Sequence, residues 1–364
     1  MNMKTRLFAR VLPCAAVAVL AVAGDPAQAM TNAEIATLRS ADRAKVLMEG
    51  AKKEGKVVLY SSMNIDPALR PIGAAFEKAH PGVKFEFFRG TSNEQIQKIG
   101  VETRARNQIG DLIEGGSGAM AAMKGGMAEA FHSPSLDAYD KGSLSPQGLW
   151  APTRTNYYGL AYNTKLVPPA EVPKTYDDLL DPKWKEKIAW TSAADNGALL
   201  FIAMLLKARG EKGTDDYLEK LARQKIIDDP AGATGTTTKI TQGEYALNIN
   251  ASATTPVQLA RKGAPIDVSM MDPIPTQINT INMVKGAPHP HAAMAFLDWF
   301  LGLEGQTLLG TTGYSPAHPD VAPDEDTKRI LPKYVDKSAY YQTPEDLFEG
   351  KPKAVEFLKR HFSN

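Results

Sequence analysis

The residues best suited to ligand chemistry are hydroxyl and amide side chains in short loops. Such loops follow expected strand ends at residues 61–64, 89–93, 192–196 and 234–238. In an open α/β sheet, ligands collect at the carboxyl ends of strands, where free backbone N–H groups and helix dipoles favour negative charge. The pattern therefore indicates a site for a small polar or anionic solute. The alternative is helix capping, which uses the same residue types.

Two arginines are candidates for binding an anionic group. Arg89 opens the second of these loops, and Arg154 precedes a run of polar and aromatic residues. A guanidinium group can donate two parallel hydrogen bonds to a carboxylate or phosphate. We expect Arg89 and Arg154 to neutralise such a group, with an ordinary surface position as the alternative for each.

Enzyme chemistry has one weak candidate. Residues 115–119 place Ser117 in a sequence close to the nucleophile elbow of serine hydrolases, but Ala119 stands where that pattern has glycine. The same stretch matches the loose dinucleotide fingerprint without a well-defined βαβ unit around it. The simpler interpretation is a glycine-rich loop that lets backbone approach a ligand or helix. No enzymatic activity is expected, and a secreted hydrolase using Ser117 is the alternative from another class.

The histidine pattern predicts neither a metal site nor a cofactor. No histidine lies beside a carboxylate at the ligand spacing of a helix. His289 and His291 flank Pro290 at an expected helix start, and we predict capping or surface positions for both. The histidines are His80, His132, His289, His291, His318 and His361.

Composition excludes several classes of protein. The 364 residues include 42 Lys+Arg, 41 Asp+Glu and one cysteine, with 43% hydrophobic residues, as in an ordinary globular protein. Nucleic-acid binding calls for a concentrated basic surplus, which this chain lacks. A single cysteine excludes a disulfide scaffold.

The N-terminus has the order of a secretory signal peptide. Lys4, Arg6 and Arg10 precede an apolar run at residues 11–23, and small residues end the segment at Ala29. We predict cleavage after Ala29. The alternative, a membrane anchor, is disfavoured because the apolar run is shorter than the ~20 residues of a spanning helix.

Hydrophobic periodicity predicts two α/β segments. Strands at residues 57–60 and 83–87, with a helix between them, form a βαβ unit. A strand at 188–190 leads into a helix that Gly210 ends. Two further helices are expected, one over residues 31–51 and one beginning near His289. Two such segments indicate two lobes with a ligand groove between them.

Motifs along nearly the whole mature chain share one resemblance. They are GKVVLYSS at 55–62, YGLAYN at 158–163, TYDDLLDPKW at 175–184, VKGAPHPHAA at 284–293, FLDWFL at 296–301, EGQ at 304–306 and GYSP at 313–316. In this order they resemble the extracellular solute-binding proteins of ABC importers. The resemblance implies a two-lobed α/β fold of the type 2 periplasmic-binding-protein class, with a hinge that the chain crosses twice.

The same resemblance implies boundaries and partners. Residues 30–154 and 277–364 form lobe 1, residues 155–276 form lobe 2, and the crossings lie near 153–158 and 273–279. A small-molecule ligand is captured as the lobes close, then delivered to an inner-membrane permease powered by a cytoplasmic ATPase. We expect a periplasmic monomer. A sensor that presents its ligand to a membrane receptor would share this fold and is an open alternative.

The chain resembles the ferric-iron-binding branch, but it departs from that branch at one point. GEYALNIN at residues 243–250 matches the approach to that branch's adjacent tyrosines, and Ala251, Ser252 and Ala253 occupy the tyrosine region. Ferric iron requires several anionic oxygens, whereas this loop offers neutral groups. We therefore expect a small polar, anionic organic solute, such as a phosphate ester, phosphonate or carboxylate, with ferric iron as the alternative.

The residues above and the positions implied by the resemblance give one set of expected ligand contacts. They are Ser61, Ser62, Asn64, Arg89, Thr91, Ser92, Asn93, Arg154, Ser192, Asp195, Asn196, Thr236, Asn250 and Ser252.

Overall fold

The computed structural model describes residues 30–116, 124–192, 197–342 and 344–362. The predicted signal peptide at 1–29 lies outside the described residues, as do Ser117, Asp195 and Asn196. Helices and strands alternate along most of the described chain, in agreement with the predicted α/β class.

Helices precede and follow the sheet strands along the chain. They are α1 (Asn32–Ala36), α2 (Arg43–Glu54), α3 (Arg70–Ala79), α4 (Ser92–Ala105), α5 (Ala198–Ala222), α6 (Gly232–Gln242), α7 (Thr254–Arg261), α8 (Pro290–Phe300), α9 (Leu303–Thr311), α10 (Glu325–Lys328), α11 (Pro332–Val335) and α12 (Pro344–Phe362).

The strands belong to one mixed sheet in the order β2-β1-β3-β10-β5-β8-β6-β7, with β9 and β11 also paired to β5 and β4 and β12 to β10. They are β1 (Lys56–Ser61), β2 (Lys84–Arg89), β3 (Leu112–Gly115), β4 (Ala128–Glu129), β5 (Ala151–Asn163), β6 (Ile188–Trp190), β7 (Ile227–Asp228), β8 (Leu247–Ser252), β9 (Ile266–Ser269), β10 (Ile274–Val284), β11 (Ser315–Pro316) and β12 (Ala339–Gln342).

Strand β5 connects two groups of strands. Its first half is antiparallel to β10, with Tyr157 opposite Thr276. Its second half is antiparallel to β8 and β9, with Tyr158 opposite Ser252. The exchange of partners therefore falls between Tyr157 and Tyr158.

Two large apolar clusters accompany these two groups of strands. One cluster packs α2, α3 and α8 against β1 and includes Leu59, Phe76 and Phe296. The other includes Trp190 of β6, Phe201 of α5 and, from the last helix, Phe357. Burial of apolar surface in each cluster is the main source of stability. The C-terminal helix thus packs in the cluster that contains β6 and α5.

The prediction of one continuous helix over residues 31–51 is wrong, because α1 and α2 are separate helices. Arg43, the first residue of α2, is buried. Its guanidinium donates to the Asp298 carboxylate at 2.8 Å and to the carbonyls of Leu38 and His132. Acceptors from the turn before α2, from α8 and from the segment after β4 thus surround a charge that would be costly to bury unpaired.

The predicted end of a helix at Gly210 is observed as an interruption. Gly210 has φ 69° and ψ 175°, and helical residues resume after it as far as Ala222. Glycine adopts this positive φ without the steric cost that a Cβ would impose.

His289 lies in an ion pair instead of serving only as a cap or surface residue. Its Nδ1 lies 2.9 Å from Oδ2 of Asp111, a fully buried carboxyl group. The hydrogen bond to Asp111 raises the pKa of His289. Burial raises the pKa of Asp111, although its bonds to His289 oppose that shift. Glu54 and Lys56 also face His289 and act on its pKa in opposite directions.

We expect this pair to make stability depend on pH. Because the folded-state pKa of His289 is raised, its contribution is complete below about pH 6.5 and is lost as pH rises through the raised value. The His289 ring is partly exposed to solvent, so the loss should not exceed about 1 kcal/mol although Asp111 is buried. Tm measured from pH 5.5 to 8.5 should fall less in His289→Asn, which keeps a donor to Asp111 but does not titrate. Parallel Tm curves for the two proteins would contradict the assignment.

Candidate functional site

A cavity of about 500 Å³ lies where β1, β2 and β3 end and where α4 and α6 begin. Hydroxyl, amide and guanidinium groups dominate its polar wall. The polar side chains that line it are Ser62, Asn64, Arg89, Thr91, Ser92, Asn93, Glu94, Arg154, Asn156, Thr234, Ser252, Thr255, Gln277, Asn279 and Tyr314.

The parallel register of three strands brings their last residues together. Ser61 of β1 is opposite Arg89 of β2 on one side and opposite Glu114 of β3 on the other. Neighbouring strands are ~4.8 Å apart, so the loops that follow them open on the same edge of the sheet. This register explains why loops distant in sequence line one cavity.

Arg89 is exposed and lines the cavity at this edge of the sheet. Among the described residues, no carboxylate lies within 4.0 Å of its guanidinium. The nearby Glu94 carboxylate is engaged in a capping box, where it accepts from the backbone N–H of Thr91 at 2.7 Å. That hydrogen bond is the main cause that lowers the pKa of Glu94. Arg89 is therefore a positive charge on the wall without an ion-pair partner in the described chain.

Arg154 differs from Arg89 because it is buried and paired. Its Nε donates to Glu114 Oε1 at 3.0 Å, and the two side chains are 2% and 0% exposed. Ser61 and Thr153 donate to the same carboxylate at 2.6 and 3.1 Å. Burial lowers the pKa of Arg154, but Glu114 more than offsets this effect and the net shift is upward. The guanidinium also lies 4.6 Å above the ring of Tyr314.

A run of hydrogen bonds crosses the cavity floor from this pair. We call Arg154, Asn156, Tyr158 and Gln277 the floor chain. Arg154 Nη1 donates to Asn156 Oδ1 at 2.6 Å, and Asn156 Nδ2 donates to the Tyr158 hydroxyl at 3.5 Å. The Tyr158 hydroxyl donates to Gln277 Oε1 at 2.7 Å. The first three members alternate along β5, so their side chains share one face of the strand.

Glycine at position 116 makes room for the end of the floor chain. A Cβ built on Gly116 would lie 2.2 Å from Nε2 of Gln277. A larger residue would displace that amide from the cavity wall. Gly116 thus gives the side chain of Gln277 close access to backbone, whereas approach of this stretch to a ligand or a helix stays a prediction.

A second relay fixes the side chain of Asn64. Gln258 Nε2 donates to the carbonyl of Thr312 at 2.7 Å, so Gln258 Oε1 is the atom that accepts from Asn64 Nδ2, also at 2.7 Å. The backbone N–H of Asn64 donates to the Tyr314 hydroxyl at 3.0 Å. Residues of α7 and of the segment after α9 thus hold Asn64 in place by hydrogen bonds.

The first turn of α6 forms another part of the cavity wall. Residues 230–234 line the cavity, and Ala231 at the N-cap makes no side-chain capping hydrogen bond. The first N–H groups of a helix have no intrahelical acceptor and carry partial positive charge. This wall therefore adds donors to those of the floor.

The structure brings most of the predicted contact residues to the cavity. Those that line it are Ser62, Asn64, Arg89, Thr91, Ser92, Asn93, Arg154 and Ser252. Ser61 lies behind this wall, fully buried, with its hydroxyl on Glu114. Contact with a ligand stays a prediction for all of them.

Three other predicted residues lie outside the lining. Ser192 donates from its backbone and hydroxyl to the Asp228 carboxylate. Thr236 is buried in α6 and donates to a carbonyl one turn earlier. Asn250 has φ 58° and donates to the carbonyl of Gly197 at 2.8 Å. In these positions the polar side chains hold loops and a helix in place.

Sequence reasoning missed Asn156, Gln277 and Tyr314. The signal for Asn156 and Gln277 was present as polar residues two apart in strands, Arg154 with Asn156 and Gln277 with Asn279, whereas Tyr314 had no such signal. Two-residue spacing places such side chains on one face, and polar residues on a buried face need partners or a ligand. Only the pairing of β5 with β10 brings the two sets together.

The part of the chain that the structure describes lacks two further features. There, no group of three or more His, Cys, Asp or Glu side chains is arranged to hold a metal ion. No helix among those residues has both the length and the apolar character needed to cross a bilayer.

Comparisons with known proteins give one family and one fold. Residues 72–333 match the family model of the bacterial extracellular solute-binding proteins. Iron uptake protein A1 of Synechocystis is 23% identical over 276 residues, covering 72% of this chain and 75% of that protein.

Among solved structures, the periplasmic binding protein AfuA of Actinobacillus pleuropneumoniae, with exogenous fructose-6-phosphate bound, has a TM-score of 0.68 at 20% identity and covers 84% of this chain and 98% of its own. Iron-bound HitA of Pseudomonas aeruginosa has the same TM-score and identity, with 84% and 99% covered. These likenesses confirm the predicted type 2 periplasmic-binding-protein fold.

Proposed function

The chain belongs to the bacterial extracellular solute-binding proteins, and on that premise we propose that it is the periplasmic receptor of an ABC importer for a small anionic organic solute. The observation that carries the choice of solute is the cavity wall, where Arg89 and Arg154 lie with the first turn of α6, whose early N–H groups have no intrahelical acceptor. Each of these groups favours negative charge.

The two arginines contribute differently to this proposal. Glu114 neutralises Arg154, so Arg154 offers directed N–H donors without an excess charge. Arg89 has no such partner in the described chain and supplies the attraction at the mouth of the cavity. An organic anion of modest charge suits this combination better than a bare metal cation.

We propose that the cavity lies between two lobes that close on the solute by a hinge motion. The exchange of strand partners at Tyr157 and Tyr158 supports the predicted crossing at 153–158, and the turn from β9 into β10 supports the one at 273–279. The packing of Phe357 favours placing α12 with lobe 2, although residues 277–364 were predicted for lobe 1.

Export and delivery complete the proposal. Cleavage after Ala29 releases a monomeric receptor into the periplasm, where it presents its solute to an inner-membrane permease with a cytoplasmic ATPase. The basic start, apolar run and small residues of the first 29 positions support export. N-terminal sequencing of the exported protein would test the cleavage position.

A thermal-shift panel on the mature protein tests the solute class. The panel contains gluconate, malate, phosphonoacetate and fructose 6-phosphate, each paired with a neutral analogue, together with ferric citrate and ferric chloride. A ligand at 100 times its Kd adds about 2.7 kcal/mol to stability, which should raise Tm by several degrees. We expect at least one organic anion to do so.

Ferric iron is the second candidate because a relative named for iron uptake matches much of this sequence and an iron-bound neighbour shares its fold. Ala251 and Ala253 flank Ser252 at the end of β8, where the resemblance places tyrosines. Stabilisation by ferric compounds, without stabilisation by any organic anion in the absence of iron, would reject the proposed solute class and support this alternative.

A further inference from the structure

Each hydrogen bond of the floor chain has a defined donor and acceptor, and the groups at the ends of the floor chain determine which is which. We propose that Arg154, held by Glu114, orients the amides beyond it so that the floor presents N–H donors to the solute and selects a group that only accepts hydrogen bonds. Such a group is a carboxylate, phosphate or phosphonate oxyanion. This inference rests on the proposed function and names how that same cavity distinguishes an anion from its neutral analogue.

The first step is at Asn156. A guanidinium group has five donors and no acceptor, so the amide of Asn156 must turn its oxygen toward Arg154. The observed Nη1 to Oδ1 distance is 2.6 Å. The NH₂ group of Asn156 therefore points away from Arg154, toward Tyr158 and the cavity that Asn156 lines.

The second step is at Tyr158, which is 1% exposed. Its oxygen accepts from Asn156, so its single proton is available to the next member of the chain. That proton is donated to Gln277 at 2.7 Å, which requires Oε1 of Gln277 at that position. The NH₂ group of Gln277 then lies on the side of Gly116, on the cavity wall.

The position of Arg154 is fixed in turn by a buried carboxylate that accepts from three side chains. Glu114 is fully buried and accepts from Ser61 and Thr153 as well as from Arg154. Another guanidinium N–H donates to Ser62 at 2.9 Å. Three of the five donors of Arg154 are thereby used, and the other two have no partner among the described residues.

The consequence is that these floor residues present hydrogen-bond donors to the cavity. Arg154, Asn156 and Gln277 all line the cavity, and each presents N–H groups there. An oxyanion can accept from all three, whereas an amide or alcohol would set its own N–H or O–H against some of these donors. A buried donor left without an acceptor is costly, and sites of this kind discriminate strongly between isosteric ligands.

Matched probe pairs and two variants test the inference. The probes are gluconate with gluconamide and fructose 6-phosphate with fructose, measured by calorimetry on the mature protein. Tyr158→Phe removes the hydroxyl that transmits direction to Gln277 while keeping size and charge. Gln277→Glu replaces the last donor by an acceptor. Gln97→Glu makes the same chemical change on the exposed face of α4 and serves as the control.

For at least one pair, the wild type should bind the anion at least 100-fold more tightly than the neutral analogue. Tyr158→Phe should reduce this ratio at least tenfold, Gln277→Glu should reduce anion binding at least 100-fold, and Gln97→Glu should change neither. Loss of packing alone would weaken both members of a pair equally and leave their ratio intact.

The inference is overturned if the wild type discriminates neither pair, or if Tyr158→Phe and Gln277→Glu both fold and keep the wild-type ratio. Failure of the proposed function has a different signature, in which no organic solute of the panel, charged or neutral, stabilises the wild-type protein and ferric compounds do.

Discussion

Replacing Arg154 by methionine should lower the free energy of unfolding by about 3–5 kcal/mol and abolish anion binding. The stability loss arises because Glu114 would stay fully buried without its cationic partner. The binding loss arises because the cavity floor loses both its central donor and the group that orients Asn156. Urea denaturation and calorimetry with the panel anions measure the two effects.

The double variant Arg154→Met with Glu114→Gln separates these effects. It removes both charges, so it should recover a large part of the lost stability without recovering binding, as expected when a buried pair is replaced by neutral groups. Arg104→Met, on the exposed end of α4, is the matched control and should stay within about 0.5 kcal/mol of wild type. Equal stability of Arg154→Met and Arg104→Met would show that the buried pair is not formed.

Phe357→Ala should lower the free energy of unfolding by about 3–5 kcal/mol, the usual cost of removing a buried phenylalanine ring. Phe357 is 1% exposed and belongs to the cluster of Trp190 and Phe201, far away in sequence. Helix α12 packs along α5, and Phe362 adds an edge contact to Trp190 with ring centroids 4.5 Å apart. Chemical denaturation followed by tryptophan fluorescence measures the change.

The control for this prediction lies in the same helix. Phe348 is 40% exposed, so Phe348→Ala should cost far less than Phe357→Ala. Comparable losses in the two variants would mean that helix formation, and not packing on α5, accounts for the effect.

Parts of the site were predictable because local pattern determines them. Continuous apolar residues at 57–60 and alternation at 83–87 identified β1 and β2, and the polar loops that follow were therefore placed correctly at one sheet edge. Arg89 could be singled out from its position at a strand end. Whether Arg89 has an ion-pair partner could not be predicted from the sequence, because ion pairs depend on residues that are distant in sequence.

The hydrogen bonds of the floor chain could not be predicted from the sequence for the same reason. Nothing near Arg154 in sequence reveals that Glu114 lies beneath it, since β3 and β5 are separated in the sheet by β10. The last helix was hidden by its composition. Pro352 lies inside α12, and proline normally disfavours a helix interior, so packing on α5 overrides local preference there.

Helix α12 and strand β6 are far apart in sequence, yet they share one apolar cluster. A contact between such distant segments closes a long loop of chain, and the entropic cost of that closure comes before the contact stabilises anything. We therefore expect the cluster around Trp190 and Phe201 to reach full stability only when α12 packs on α5.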